Sequence, residues 1–412
     1  MKLLPLFAAG AAAWLDQQPL SSSSSVTTGS TAYRSSLLDL HRNLISTSSL
    51  SGTEGNVGNW LVSYLEEHNY HTLRQALPAR NNTDGAGRFN VIAWPVGADP
   101  KTSASVLDNL PPLLVTSHID VVPPHIPYSI DDGDISSKTV IHGRGSVDAK
   151  GSVAAQITAV EVLREEGLVN AGDLVLLFVV GEEDSGDGMK AFSAALQEKT
   201  SREFESAIFG EPTENKLACG HKGILGCQVT ATGRAGHSGY PWLGKSANDA
   251  LMRGLVAVLD AAAAGELGAT PVYGNTTVNV GLLQGGVAAN VIPASASATL
   301  AIRVAHAPQL DGHEFVRAQL EKTLAGIDAD ALAVECSHGY GIVECACDVD
   351  GFDTITVNYG TDVPNLAGNH TRYLYGPGDI LVAHSDHEAL TVGDLETAVE
   401  GYKALIKHAL GL

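Results

Sequence analysis

Three apolar runs in this sequence are each followed directly by residues that can bind a metal ion. The runs, each with the residues that follow it, are 113–117 with His118-Ile119-Asp120, 174–180 with Gly181-Glu182-Glu183, and 207–209 with Gly210-Glu211. Each run is short, apolar and bounded by polar residues, which indicates a buried strand. In open α/β sheets, ligands bind beyond the carboxyl ends of the strands. We therefore expect these side chains to meet at one edge of a sheet.

The remaining pattern predicts an α/β fold with a second domain inserted into it. Helical spacing at 152–165 alternates with the apolar strands, which favours a mixed sheet flanked by helices. From residue 224 the strands alternate apolar and polar residues, which is typical of an antiparallel sheet with helices on one side. We expect a catalytic domain formed by 14–223 and 339–412, and an inserted α+β domain at 224–338. Glycines near 223 and 339–341 are candidate hinges.

The first residues predict a secreted protein. Lys2 precedes a short apolar run that ends in small residues, so 1–13 has the layout of a signal peptide. The alternative is an apolar N-terminus of a cytosolic protein. Glycosylation sequons at Asn81, Asn275 and Asn369 agree with secretion. No later stretch has the length of a transmembrane helix, so we expect no membrane partner.

The net charge restricts the expected partners of the protein, and the cysteine count restricts its disulfides. A formal net charge of -21 argues against a nucleic-acid partner, because phosphates require clustered Lys and Arg. The five cysteines cannot all pair with one another, and we expect one or two disulfides and a free thiol. Their connectivity cannot be deduced from the spacing.

Further segments carry candidate catalytic groups. A glycine-rich turn at 143–145 leads to Asp148, just before the predicted helix. The adjacent Glu182 and Glu183 can point in different directions, so that one binds a metal while the other acts as a base. Near the C-terminus, His384 and His387 are alternative ligands. Each fragment alone also fits an ordinary polar turn.

The ordered set resembles the aminoacylase, acetylornithine deacetylase and carboxypeptidase G family of cocatalytic zinc hydrolases. The matching segments are S-H-x-D-V-V-P at 117–123, G-R-G-x-x-D-x-K-G at 143–151, G-E-E at 181–183, G-E-P-T at 210–213, the histidine segment 233–238, G-G-x-x-x-N-V-I-P at 285–293 and A-H-x-x-x-E at 383–388. The resemblance runs from about residue 113 to the C-terminus, about three quarters of the chain. The resemblance implies a zinc-exopeptidase catalytic domain with an inserted lid or dimerisation domain.

The resemblance also implies a role for each matching residue. The implied metal ligands of two zinc ions are His118 and Glu211 for one ion, Glu183 and His384 for the other, and Asp148 as the bridge. Glu182 is the implied general base, and Asp120 is expected to accept the second ring N–H of His118. His237, Asn290 and Arg303 belong to the inserted domain, and in dimeric relatives the first two reach the partner's active site. A homodimer is therefore possible.

The donor chemistry agrees with amide hydrolysis. Imidazole and carboxylate ligands without thiolate suit zinc, with cobalt or manganese as possible substitutes. A serine esterase is disfavoured because the sequence contains no G-x-S-x-G elbow. A non-catalytic binding protein on the same scaffold is disfavoured because Glu182 and all the expected ligands are present.

The expected substrate is a peptide or an N-acyl amino acid with a free α-carboxylate. Several relatives carry an Arg shortly after a Gly-Thr turn, but the turn at Gly360 and Thr361 has none. Carboxylate recognition is then left to Arg303, Thr361 or backbone N–H groups. Lid closure is expected to bring His237 towards the metals, where it would stabilise the oxyanion. The sequence thus favours a carboxypeptidase, with an N-acyl amino acid deacylase as the alternative.

Overall fold

The computed structural model describes residues 32–79, 87–97, 109–200 and 202–412. Within these ranges the α-helices are α1 Arg34–Ser46, α2 Gly55–Glu67, α3 Lys150–Glu165, α4 Asp187–Lys199, α5 Ala247–Ala263, α6 Gly312–Asp328 and α7 Val392–Leu410. The predicted signal peptide at 1–13 and the sequon at Asn81 lie outside the described residues. In the described part, no helix is both long and apolar enough to cross a membrane.

The strands fall into a large mixed sheet, a smaller antiparallel sheet and short pairings. They are β1 Tyr70–Leu77, β2 Arg88–Pro95, β3 Leu113–His118, β4 Ser129–Ile130, β5 Val140–His142, β6 Leu174–Val179, β7 Ser206–Gly210, β8 Leu217–His221, β9 Gly223–Thr232, β10 Gly236–His237, β11 Ala269–Thr270, β12 Gly274–Asn275, β13 Thr277–Gly285, β14 Val291–Ile292, β15 Ser295–Val304, β16 Leu332–Cys336, β17 Val343–Glu344, β18 Thr354–Val357, β19 Thr371–Tyr375 and β20 Ala389–Thr391.

The large sheet places the three predicted metal-binding strand ends side by side. Its strand order is β1-β2-β6-β3-β7-β19-β8-β17, with β18 also paired to β8. The central strands β6, β3, β7 and β19 run parallel, whereas β1, β2 and β17 pair antiparallel with their neighbours. The carboxyl ends of β3, β6 and β7 therefore meet at one edge. The predicted mixed α/β sheet is confirmed.

Helices cover both faces of this sheet. Within β3, Leu113 and Val115 belong to the apolar core formed with α1, α2, α3 and α7. The intervening Leu114 belongs to a second core, to which α4 contributes Phe192. Because successive strand residues point to opposite faces, a strand that is apolar throughout requires cover on both sides. This burial explains why the predicted strands carry no polar face.

The last helix, α7, begins and ends at residues suited to those positions. The Thr391 side chain accepts a hydrogen bond from the Asp394 N–H, and the Asp394 side chain accepts one from the Thr391 N–H. This reciprocal capping box satisfies backbone donors that a helix start otherwise leaves unpaired. Gly411, in the left-handed conformation, follows the C-terminal end. These two ends account for a helix over Val392–Leu410.

The smaller sheet forms a separate layer over residues 223–336. Its strand order is β13-β15-β9-β16, and every pairing is antiparallel. Alternate residues of β9 and β15 are buried in an apolar core shared with α5 and α6. The antiparallel sheet and its helices agree with the predicted α+β fold. Ala32–Leu412 forms one compact unit, and the domain boundaries themselves stay a prediction.

Two disulfides join segments distant in sequence. Cys219 pairs with Cys347, and Cys227 pairs with Cys336, while Cys345 is a free thiol. Two disulfides and one leftover thiol agree with the expectation from the cysteine count.

The two chain segments that connect the large sheet to the smaller sheet, near Gly223 and Gly341, pack closely against each other. A Cβ added to Gly223 would lie 2.0 Å from the Tyr340 carbonyl oxygen and 2.5 Å from that of Gly341. Only a residue without a side chain permits this approach. The glycine-rich connections are therefore explained by close backbone packing, and their predicted role as hinges stays a prediction.

Candidate active site

The Asp148 carboxylate lies between two imidazoles. Its Oδ1 is 3.1 Å from His118 Nε2, and its Oδ2 is 3.2 Å from His384 Nε2. Burial would raise the pKa of this carboxyl, but hydrogen bonds from both histidines hold it below its ordinary value. A carboxylate that directs one oxygen to each of two histidines has the arrangement required to bridge two metal ions.

Each histidine also faces a glutamate. His384 Nε2 is 2.9 Å from Glu183 Oε2, and His118 Nε2 is 3.9 Å from Glu211 Oε1. The structure thus brings together all the predicted ligands around Asp148. His384 has a φ of 63°, in the left-handed region that residues other than glycine rarely adopt. Hydrogen bonds to Asp148 and Glu183 raise the pKa of His384 to about 10.

The alternative ligand His387 is directed elsewhere. Its Nδ1 lies 2.9 Å from Asp386 Oδ1, and 72% of its side chain is exposed. The preference for His384 over His387 therefore agrees with the geometry.

Buried carboxylates crowd this edge of the sheet. Burial and the neighbouring Glu211 charge raise the pKa of Glu182, while burial and the Asp148 charge raise that of Glu183 to about 7. Potential ligand atoms of His118, Glu182 and Glu211 lie within 4.8 Å of one another, as do those of His118, Asp148 and Glu183. Buried like charges are costly unless they are compensated. Divalent cations would supply that compensation, and the oxygen and imidazole donors suit zinc.

Asp120 holds the turn that carries the adjacent glutamates. Its carboxylate accepts hydrogen bonds from the N–H groups of Glu182 at 3.1 Å and Glu183 at 3.3 Å, and from the Ser51 hydroxyl at 2.7 Å. His118 Nδ1 is closer to the Asp120 backbone carbonyl, at 3.0 Å, than to its carboxylate, at 3.5 Å. His118 is therefore held mainly by the Asp120 main chain, and the Asp120 carboxylate fixes the turn of the two glutamates.

Glu388 holds the loop that delivers Asp148. Its Oε1 accepts from the N–H groups of Gly145, Val147 and Asp148 at 3.0, 3.0 and 3.1 Å. Its Oε2 accepts from Arg144 Nη1 at 2.6 Å. The loop between β5 and α3 is thereby tied to the segment that carries His384.

Arg144 completes that connection. Its Nη2 donates to the His384 carbonyl at 3.2 Å, and both Arg144 and Glu388 are buried. Removing one partner of a buried ion pair leaves an uncompensated charge, which costs about 3–5 kcal/mol. The sequence alone predicts no role for either residue, although both lie inside the matched segments at 143–151 and 383–388.

A cavity of about 620 Å³ opens onto this site. Its lining includes the metal-binding candidates Asp148, Glu183, Glu211 and His384, the predicted base Glu182, and Arg303, Tyr340, Tyr359, Gly360, Thr361 and Asp362. The volume is in the range of pockets that hold small ligands. Arg303 therefore shares one cavity with the candidate metal ligands.

The Thr361 hydroxyl is already used within the protein. His221 Nδ1 lies 2.7 Å from the Lys222 carbonyl, so this nitrogen carries the proton of a ring whose pKa burial lowers to about 4. His221 Nε2 then accepts from the Thr361 hydroxyl at 3.0 Å, and the same hydroxyl accepts from the Val363 N–H at 3.1 Å. Thr361 fixes the turn beside the cavity and has no hydroxyl proton left for a substrate.

His237 and Asn290 are placed apart from this cavity. Neither His237 nor Asn290 is among the described residues that line the cavity. Both are exposed, and the Ser238 N–H donates to the Asn290 carbonyl at 3.1 Å. Their predicted approach to the metals, in the same chain or in a partner subunit, stays a prediction.

The sequence matches the model of Peptidase family M20/M25/M40 over residues 114–408. This match spans well over half of the chain and includes every candidate metal ligand. The chain belongs to this family. Peptidases of the M20 family are hydrolases that depend on metal ions, which agrees with the crowded carboxylates and imidazoles of the site.

Similar proteins extend the family match to nearly the whole chain. A Peptidase M20 domain-containing protein from Sordaria macrospora is 54% identical over 401 residues, covering 92% of this chain and 86% of that protein. A probable carboxypeptidase from Aspergillus oryzae is 47% identical over 393 residues, covering 91% and 88%. A solved tripeptidase from Staphylococcus aureus has a TM-score of 0.71 at 17% identity, covering 92% and 99%. The last comparison shows the shared M20 peptidase fold.

Proposed function

We propose that this M20 peptidase is a carboxypeptidase that works with two zinc ions. The observation that carries the proposal is the Asp148 carboxylate, with one oxygen near His118 and the other near His384. His118, Asp148 and Glu211 would hold one ion, and Asp148, Glu183 and His384 the other. When bound, the ions supply Lewis acidity that polarises the scissile carbonyl and acidifies the attacking water.

Glu182 is proposed to move the proton. Its carboxylate lies in the cavity near His118 and Glu211. Burial is the largest cause that raises the pKa of Glu182, and the negative charge of Glu211 raises it further. A raised proton affinity suits a base that takes a proton from water and delivers it to the departing amine. The hydrogen bond from the Glu182 N–H to Asp120 fixes the backbone from which this side chain extends.

Arg303 is proposed to bind the α-carboxylate of the substrate. It lines the cavity, and in the described part of the chain no carboxylate forms an ion pair with it. A guanidinium can hold a carboxylate with two parallel hydrogen bonds and so position the neighbouring amide. Several relatives are named probable carboxypeptidases, which favours peptides over N-acyl amino acids as substrates.

The Arg303→Ala variant should affect peptides with a free C-terminal carboxylate and not the corresponding C-terminal amides. A hydrogen bond to a charged group is worth about 1.5–3 kcal/mol, so we expect Arg303→Ala to lower kcat/KM for a peptide acid roughly tenfold to a hundredfold. We expect cleavage of the same peptide with a C-terminal amide to be slow already and to change little. Arg317→Ala is the matched control, because Arg317 lies on α6 and pairs with Glu314 and Glu321.

The same assay defines the outcome that contradicts the proposal. Equal cleavage of acid and amide by the unmodified protein would exclude carboxylate recognition. Trimming from the amino end alone would indicate an aminopeptidase, and exclusive action on N-acyl amino acids would indicate a deacylase.

We further propose that the protein is secreted. The disulfides Cys219–Cys347 and Cys227–Cys336 are typical of an oxidising compartment. Asn369 is exposed and open to glycosylation, whereas the Asn275 amide donates to the Ala263 carbonyl at 2.9 Å. A protein collected from culture medium should begin near Trp14, and retention of 1–13 in the mature chain would contradict this proposal.

A homodimer through the smaller sheet is also proposed. The edge strand β13 exposes Leu282 and Leu283, and α5 exposes Met252 and Val256. An apolar edge strand beside an apolar helix face is a suitable surface for a second copy. Sedimentation should give twice the chain mass, and the mass of one chain at micromolar concentration would argue against the dimer.

A further inference from the structure

Arg303 and Tyr340 lie in one row across adjacent chain segments. Arg303 of β15 is the register partner of Ile224 in β9, and Ile224 forms an isolated bridge with Tyr340. Directly opposed residues of neighbouring strands place their side chains on the same face. All three residues line the cavity, so the Arg303 and Tyr340 side chains face the substrate space together.

The two polar groups converge on Gly360. A Cβ added to this glycine would lie 2.7 Å from Tyr340 Oη and 3.7 Å from Arg303 Nη1. Such a Cβ would also meet Ile224 Cγ2 at 3.0 Å. The absence of a side chain at Gly360 leaves the space beside both donors open.

The Tyr340 hydroxyl retains a proton to donate. Burial raises the pKa of the Tyr340 phenol, and the nearby Thr361 N–H opposes that rise only in part, so the hydroxyl stays protonated. No described residue accepts a hydrogen bond from this hydroxyl in the structure. A phenol has one proton besides its lone pairs, and that proton is available to a ligand.

Tyr359 provides a contrast within the same cavity. Its hydroxyl donates to the Pro212 carbonyl at 2.8 Å. The proton of Tyr359 is therefore committed to the protein, although the residue lines the same cavity.

We propose that Tyr340 is a further substrate-binding residue, whose hydroxyl donates to the α-carboxylate that Arg303 binds. This inference rests on the proposed carboxypeptidase function. A carboxylate has two oxygens and several acceptor positions, so a guanidinium and a phenol can bind it together. The neutral phenol helps to orient the carboxylate without adding a charge. It takes the place of the arginine that several relatives carry after the turn corresponding to Gly360.

Tyr340→Phe tests the inference, because it removes only the hydroxyl and keeps the ring packed at 6.2 Å from His221. We expect KM for a peptide acid to rise roughly tenfold, with kcat changed less than twofold and no effect on the C-terminal amide. The inhibition constant of a free amino acid product should rise by a similar factor. Tyr359→Phe is the control and should leave the acid preference unchanged.

Two results would overturn the inference. An equal loss for acid and amide would show that the hydroxyl does not recognise the carboxylate. A loss in kcat with unchanged KM would assign the hydroxyl to the reacting carbonyl instead. If Arg303→Ala weakens acid binding and Tyr340→Phe does not, this inference fails while the proposed function stands; if the unmodified protein cleaves acid and amide equally, the proposed function fails.

Discussion

Glu182→Gln is expected to keep the full metal content and to lower kcat by a factor of about 10² to 10⁴. Glutamine has nearly the same shape as glutamate but cannot take a proton from water. The main-chain bond from residue 182 to Asp120 is unaffected by the change. Proton transfer should therefore fail while the ligand set around Asp148 remains intact. Paired measurements of kcat and of metal per chain check both halves of this expectation.

Glu183→Gln is the informative comparison. The Glu183 carboxylate lies 2.9 Å from His384 Nε2, at the position proposed for a ligand. We expect this variant to lose metal as well as activity. If Glu182→Gln retained the unmodified rate, or if it lost metal as Glu183→Gln does, the proposed division of labour between the adjacent glutamates would be wrong.

Asp148→Ala is expected to lose both metal ions and all measurable activity. Asp148 is the only described carboxylate with an oxygen within 4.0 Å of both His118 and His384. Its removal takes a ligand from each proposed ion at once and leaves the two sites without a shared anion. Elemental analysis after dialysis against zinc measures the effect.

Asp184→Ala is the matched control for that experiment. Asp184 is an exposed acidic residue that lines the same cavity but has no place in the proposed ligand set. This variant should keep its metal. Retention of near-normal metal by Asp148→Ala would contradict the bridging role.

The position of the site could be predicted because the relevant signals are local. The apolar strands β3, β6 and β7 each end beside metal-binding residues, and parallel strands bring their carboxyl ends to one edge. Alternation of polar and apolar residues similarly identified the second sheet. Both features depend on residues close together in sequence, where strand and helix periodicity is informative.

The supporting contacts could not be predicted because they join distant segments. Glu388 meets the N–H groups of the Asp148 loop from more than 200 residues away, and Ser51 meets Asp120 across 69 residues. No local pattern marks such pairs. The disulfide connectivity was open for the same reason.

The substrate contacts illustrate a different limit. Thr361 stands at a position that suggested substrate binding, yet its hydroxyl donates to His221. No sequence motif marks Tyr340 apart from the glycines on either side of it, yet it lines the cavity together with Arg303. Which hydroxyl is free depends on hydrogen-bond partners that only the folded chain specifies.

We propose that Asp148 would be shared by two zinc ions in this M20 peptidase. The most direct measurement is the zinc content of the unmodified protein, purified without chelators and saturated with zinc before extensive dialysis. We expect about two zinc ions per chain, with activity lost on chelation and restored by zinc. One ion per chain, or none in an active protein, would contradict it.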